Sequence, residues 1–370
     1  MGAARILRQW TASVNQLFGS LHGHTVKSLA CFSLAMCQAR HCHSGKLAAS
    51  APADAKRPAN VASNRRRWER LLANPRLDTK AALKELAASL TKDWRGREVL
   101  LVLDETPKGG GLRCLRVGIA YHKRMITLAA ECYPTDSPPL PMPKLICRTL
   151  KKLAKLLPAG LRVTLLTDRG LSWPVVMDCL RGLGWGHVMR LQHSTRVMLE
   201  DRSGRQKVVA AGELVRRRGG EWRGLVKIFK KAKWRDARLS VVWDRRSKEP
   251  WILAADGHGR SGLHAACAYA KRNWCGQSFR DEKSSGFRWS ESRVSDPARA
   301  LRLVLVMALA NLLSISLGSW IVKSGRRRDF DPHRERRLSV FQLGLRWLSH
   351  LLVVAADGPL PPYLPYLHPS

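Results

Sequence analysis

Two aspartates stand where hydrophobic runs end. Asp104 closes "LLVLD" and Asp168 closes "VTLLTD". Short apolar runs bounded by polar residues predict buried strands, so both carboxylates should emerge at strand ends in one sheet. Acids so placed can hold magnesium or manganese (Mg2+ or Mn2+) through oxygen, the ligand atom these ions prefer. A pair of such ions can activate water and stabilise the leaving oxygen of a phosphodiester. An aspartate at a strand end can also merely cap a turn. Glu105 and Thr106 after the first acid, and Arg169 and Gly170 after the second, weigh towards chemistry.

A third stretch, "YAKRNWCGQSFRDEKSSGF" (269–287), invites a helical reading. At about 100° per residue, Tyr269, Arg272, Gly276 and Lys283 lie at about 0°, 300°, 340° and 320°, on one face within about 60°. Arg280, at about 20°, joins them. Glycine inside a helix costs about 1 kcal/mol relative to alanine, so Gly276 brings the helix no structural gain. Asp281 (about 120°) and Glu282 (about 220°) lie more than 90° from the centre of the stripe, so in a regular helix neither reaches the glycine's place.

The elements around these residues are legible in part. "EVLLVLDET" (98–106), "LRCLRVGIAYH" and "RMITLAAECY" read as three strands, the last two joined by a short turn. A helix over "PKLICRTLKKLAKLL", the strand "LRVTLLTD", a helix over "WPVVMDCLRGL" and the strand "GHVMRLQ" follow. Hairpin-connected strands followed by alternating helix and strand predict a mixed α/β sheet with flanking helices, an order similar to the ribonuclease H-like fold. Residues 1–95 read as a helical, basic region, either DNA-binding or a cap on the core, with "SGKLAASAPADAKRPANVAS" as an internal linker. Residues 96–194 form the first part of the sheet domain. Residues 195–257 read as a β-strand insertion carrying Trp222, Trp234, Trp243 and Trp251 among many cations. Residues 258–350 read as a helical C-terminal part, and 351–370 as a proline-rich, disordered tail. The run at 303–322 is 20 residues without a charge, long enough to span a bilayer, but Asn311, Ser314, Ser316, Gly318 and Ser319 interrupt it. A buried core helix is expected there, and no membrane association.

Charge narrows the partner. In 370 residues, 65 Lys and Arg against 28 Asp and Glu give a net +37, spread along the whole chain. Self-repulsion of that size favours a polyanionic partner, and DNA or RNA is the first candidate. Nine scattered cysteines without paired short spacings predict a reducing compartment, and "MGAARILRQW" does not read as a secretory signal. His41, Cys42 and His43 are sequence neighbours, which rarely make a whole zinc site.

Together "LVLDET", "LLTDRG" and "YAKRNWCGQSFRDEKSSGF" resemble the three signature blocks of DDE transposases of bacterial insertion sequences, in the subgroup with a β insertion and a Tyr-Arg-Glu-Lys signature. The resemblance covers about 60–320. It implies Asp104 and Asp168 as two of three metal-binding carboxylates of a two-metal site. It implies Tyr269, Arg272 and Lys283, with Arg280 on the same face, as holders of transposon-end phosphates, and an insertion tryptophan such as Trp222 or Trp243 stacking on an unpaired base. The Glu position of the signature is Gly276. Two expectations follow: a copy disabled by one codon change, or an enzyme whose third acid comes from elsewhere, Glu282 being the candidate through an irregular helix. The implied reaction is hydrolysis at a transposon end and attack of the freed 3′ hydroxyl on target DNA, by a bacterial cytoplasmic protein acting as a homodimer on paired ends. A DNA-binding derivative without catalysis would keep the same basic surface.

Overall fold

Burial alternates along the central strands. Leu101, Leu103 and Leu165 point into one hydrophobic core, while Val102, Leu166 and Val188 point into a second. A sheet with apolar side chains on both faces must be covered on both. The computed structural model describes residues 2–53, 60–201, 203–256 and 262–353.

The strands are β1 (Glu98–Gly109), β2 (Leu112–Tyr121), β3 (Arg124–Pro134), β4 (Arg162–Thr167), β5 (Gly186–Arg190), β6 (Arg196–Glu200), β7 (Gln206–Ala210), β8 (Glu221–Ile228), β9 (Arg235–Val242) and β10 (Trp251–Asp256). They form a single mixed sheet in the order β3-β2-β1-β4-β5-β10-β9-β8-β6-β7. β1 runs parallel to β4, and β4 to β5, whereas β2, β3 and β10 pair antiparallel with their neighbours. The tryptophan-bearing segment therefore extends the central sheet through β10 and β9. Asp104 does not end its strand: β1 continues to Gly109, because residues beyond Asp104 pair with β2 through a hairpin whose Gly109, Gly110 and Gly111 all adopt positive φ. What ends at this level is the parallel neighbour, β4.

The helices are α1 (Gly2–Leu17), α2 (Gly23–Ala39), α3 (Ser44–Ser50), α4 (Val61–Ala73), α5 (Thr79–Thr91), α6 (Met142–Ala154), α7 (Pro174–Gly182), α8 (Gly262–Ala270), α9 (Asn273–Arg280), α10 (Pro297–Lys323) and α11 (Val340–Val353). α3 occupies the first seven residues of the stretch expected to be a linker, with the His43 ring capping its first turn, and α4 takes its last three. Buried residues of α1 to α5 belong to the same core as one face of the sheet, so residues 1–95 pack as part of one body. Residues 354–370, most of the expected tail, lie outside the described residues, and 351–353 complete α11.

α10 is long and apolar enough to cross a membrane by length and composition, and its apolar stretch is wholly buried in the protein. It packs against β3, α2 and α11. One of its serines is used: the Cys37 thiol lies 3.4 Å from the Ser314 hydroxyl, and Ser314 donates to the Ala310 carbonyl. α10 and α11 touch backbone to backbone. A Cβ at Gly318 would lie 1.7 Å from the Val340 carbonyl oxygen, and one at Gly344 would lie 1.8 Å from that of Ser314.

His187, in the middle of β5, is fully buried, and neither ring nitrogen has a hydrogen-bond partner among the described residues. Burial pushes its pKa from 6.5 down to about 4. The folded ring stays neutral between those values while the unfolded ring takes up a proton. Stability is therefore full above about pH 6.5 and falls by about 3 kcal/mol as pH drops towards 4. Urea melts at stepped pH should show this decline, and His187→Phe should flatten it; an equal decline in the variant would contradict the assignment.

Candidate active site

The ladder pairs Leu103 with Thr167 and Thr167 with Met189, so the next residue on each strand forms a row across the sheet: Asp104, Asp168, Arg190. On the other side Asp104 is paired with Arg116 of β2. Paired residues share a face, and this row faces α8 and α9.

The segment 269–287 is not one regular helix. Between Ala268 and Cys275 the backbone closes i→i−3 hydrogen bonds, Lys271 N–H to Ala268 and Arg272 N–H to Tyr269 among them, which separates α8 from α9. After α9 the chain opens into a π turn, Asp281–Ser285. The expected 100° spacing is lost at both places, yet Tyr269 and Arg272 converge. Arg272 Nη2 donates to Asp104 Oδ1 at 2.9 Å and lies 3.1 Å from Asp168 Oδ2. The Tyr269 hydroxyl donates to Asp168 Oδ1 at 3.4 Å. One guanidinium thus bridges the two carboxylates, where the resemblance gave it to phosphate.

Surrounding groups fix this arrangement. Asp104 accepts the Glu105 N–H at 2.9 Å and lies 3.1 Å from the Cys275 thiol. Burial raises the Asp104 pKa, opposed first by the charge of Arg272 and then by the Cys275 thiol. Asp168 caps the short turn Arg169–Leu171 and accepts the Arg169 N–H at 2.7 Å. Burial, and then the Asp168 charge, push Tyr269 up to about 12, so its hydroxyl stays protonated and donating. Trp251 packs edge-on against the Tyr269 ring, centroids 5.2 Å apart. Glu249 braces the site from outside, binding Arg190 at 2.6 Å and Arg169 at 3.2 Å.

Glu282 is committed elsewhere. Its carboxylate takes two hydrogen bonds from Arg116 Nη1, at 2.8 and 2.6 Å, and one from Asn311 Nδ2 at 2.7 Å. The Arg116 guanidinium lies over the Trp289 ring at 4.7 Å. Both residues of this ion pair are 1% exposed. The Asp281 carboxylate binds Arg124. As a substitute third acid Glu282 is thus excluded by its partners, since withdrawing it would leave Arg116 charged and buried. Gly276 is exposed, and a Cβ there would meet nothing within 4 Å. Lys283 is half-buried; burial and then the Arg116 charge lower its pKa, with Glu282 and Asp104 pulling the other way. Arg280 is exposed. Trp222 and Trp243 are half-buried against the core, and Trp243 Nε1 donates to the Ser247 carbonyl.

Sequence reasoning missed Arg190, Glu249, Cys275 and Trp251 as parts of this site. Arg190 was the most findable, as the residue closing the third parallel strand at the edge that carries both aspartates. Asp104 and Asp168 converge on a single positive group, and such a donor pair fits one hard divalent ion with water filling the rest of its shell. It does not supply a three-carboxylate, two-ion site: among the described residues no three His, Cys, Asp or Glu side chains come together to hold a metal. The chain matches no protein-family model and no curated protein.

Two stability measurements separate structural from chemical roles. Glu282→Gln should cost about 3–5 kcal/mol by stranding Arg116, and Gly276→Ala should gain about 1 kcal/mol. Urea denaturation checks both; a tolerated Glu282→Gln would show that Arg116 does not depend on that carboxylate.

Proposed function

We propose that this chain is a DDE-type DNA transposase by descent and architecture, built on a ribonuclease H-like domain and impaired in its chemistry at position 276. The observation that carries the reading is the convergence of Asp104 and Asp168, from neighbouring parallel strands, on Arg272. The strand order β3-β2-β1-β4-β5, with its mix of antiparallel and parallel pairs, supports the fold assignment. The net +37 supports DNA as partner.

On this reading Asp104 and Asp168 hold magnesium or manganese, which when bound would polarise the phosphodiester and activate water. Arg272 is the group within reach of both the carboxylates and an incoming phosphate, and its planar fork suits either. Tyr269 keeps its proton and orients Asp168. Lys283 adds positive charge beside the buried pair. Position 276 lies in α9 just after Arg272, exposed and with open space around it, so a glutamate side chain can be accommodated there. The protein would act in the bacterial cytoplasm as a homodimer on paired transposon ends, as the resemblance implies.

A second reading has its own support. Arg272 already neutralises the two carboxylates, and among the described residues no third acid joins them, which suits a non-catalytic DNA-binding protein derived from a transposase, a self-repressor or domesticated binder.

A magnesium- or manganese-dependent cleavage assay on DNA flanking this gene tests both. Gly276→Glu should cut, the natural protein should cut far more slowly, and Asp104→Ala should abolish cutting by Gly276→Glu. Equal cutting by the natural protein would overturn impairment at 276. Specific binding to these ends without cutting by any variant would select the second reading.

A further inference from the structure

Helix α6 has two faces of different kind. Leu145, Ile146, Leu150 and Leu153 are buried in the core on the face of the sheet that Leu101 and Leu103 point into. Lys144, Arg148, Lys151, Lys152 and Lys155 lie opposite, within about 100° of arc and along about 16 Å of helix axis. The four lysines are exposed, and among the described residues none forms an ion pair. Arg148 alone reaches an acid, Glu131, at 3.5 Å.

This pattern works against the helix that carries it. Like charges at i,i+3 and i,i+4 repel, and Lys144 sits in the first turn, at the positive end of the helix dipole. The first turn holds no acid to offset it. The dipole favours Lys151 and Lys152 in the last turn, but among the described residues the only acid paired with this face is Glu131, at Arg148, which directs attention to an external anion. The lysine face lines an open groove, and Lys152 also lines the neighbouring one with Lys80 and Lys84 of α5.

We propose that this face of α6 is a docking surface for the phosphate backbone of duplex DNA, separate from the carboxylate pair. α6 packs on one face of the sheet, whereas Asp104 and Asp168 face α8 and α9 on the other. A duplex on α6 is therefore a different stretch of DNA from one at the carboxylates. The choice of DNA among polyanions rests on the proposed function; the surface itself does not.

The test is the salt dependence of duplex binding by the full chain, followed by fluorescence anisotropy on a random-sequence duplex. Each phosphate contact contributes about 0.9 to the slope of log K against log salt. Replacing Lys144, Lys151, Lys152 and Lys155 together by Gln should lower the slope by about 3 to 4. Lys151→Gln alone should lower it by about 1, which serves if the fourfold variant fails to fold. An unchanged slope overturns the proposal. So does a natural protein that ignores duplex but binds phosphatidylglycerol vesicles through these lysines, which would make the surface a membrane contact. Because no cutting is involved, the lowered slope can appear in a chain that never cleaves. A cleaving Gly276→Glu with an unchanged slope would remove only the α6 assignment.

Discussion

The ion pair between Arg116 and Glu282 constrains everything around it. Arg116 belongs to β2 and Glu282 to the π turn after α9, 166 residues apart in the chain, and both are out of reach of water. A buried ion pair adds little net stability, but removing either partner is costly. It therefore fixes the position of the 273–285 segment on the sheet. Asp281 and Arg124 repeat the device one residue earlier. Two consecutive acids can both point inward because the π turn is wider than an α-turn. The acids nearest the signature are spent on anchoring, and the carboxylate pair is left with Arg272.

That balance has a chemical consequence. Two carboxylates on adjacent strands repel each other and must be neutralised. Here a guanidinium does it, held charged by the opposing carboxylates although burial works the other way. A divalent ion at the same oxygens contends with Arg272, and a phosphate drawn to Arg272 lessens that contention. On the proposed function, metal and polyanion would thus compete for, and relieve, the same small set of charges.

Much of the central sheet was legible in the sequence, since period-two burial marks strands directly, and "LLVLD" and "VTLLTD" brought both aspartates together. Less was legible where tertiary contacts override local pattern. β1 runs past Asp104 because β2 continues to pair with it. The helix through Tyr269 and Arg272 breaks where i→i−3 bonds tighten the chain, so angular bookkeeping fails from Lys271 onwards. Glu282 looked like an irregularly placed ligand because its partner, Arg116, lies far away in sequence. Glu249 reaches the site from the loop before β10, a placement that follows only from the antiparallel pairing of β10 with β5.

The central claim is that Asp104 and Asp168 form one cation-holding pair with Arg272 as its resident counter-charge. Manganese titration near neutral pH, with free ion followed by electron paramagnetic resonance, tests it most directly. A single saturable site should be lost in Asp104→Asn and in Asp168→Asn, and should bind about tenfold or more tighter in Arg272→Gln. Binding that survives both aspartate substitutions, or weakens when Arg272 is neutralised, would contradict the account.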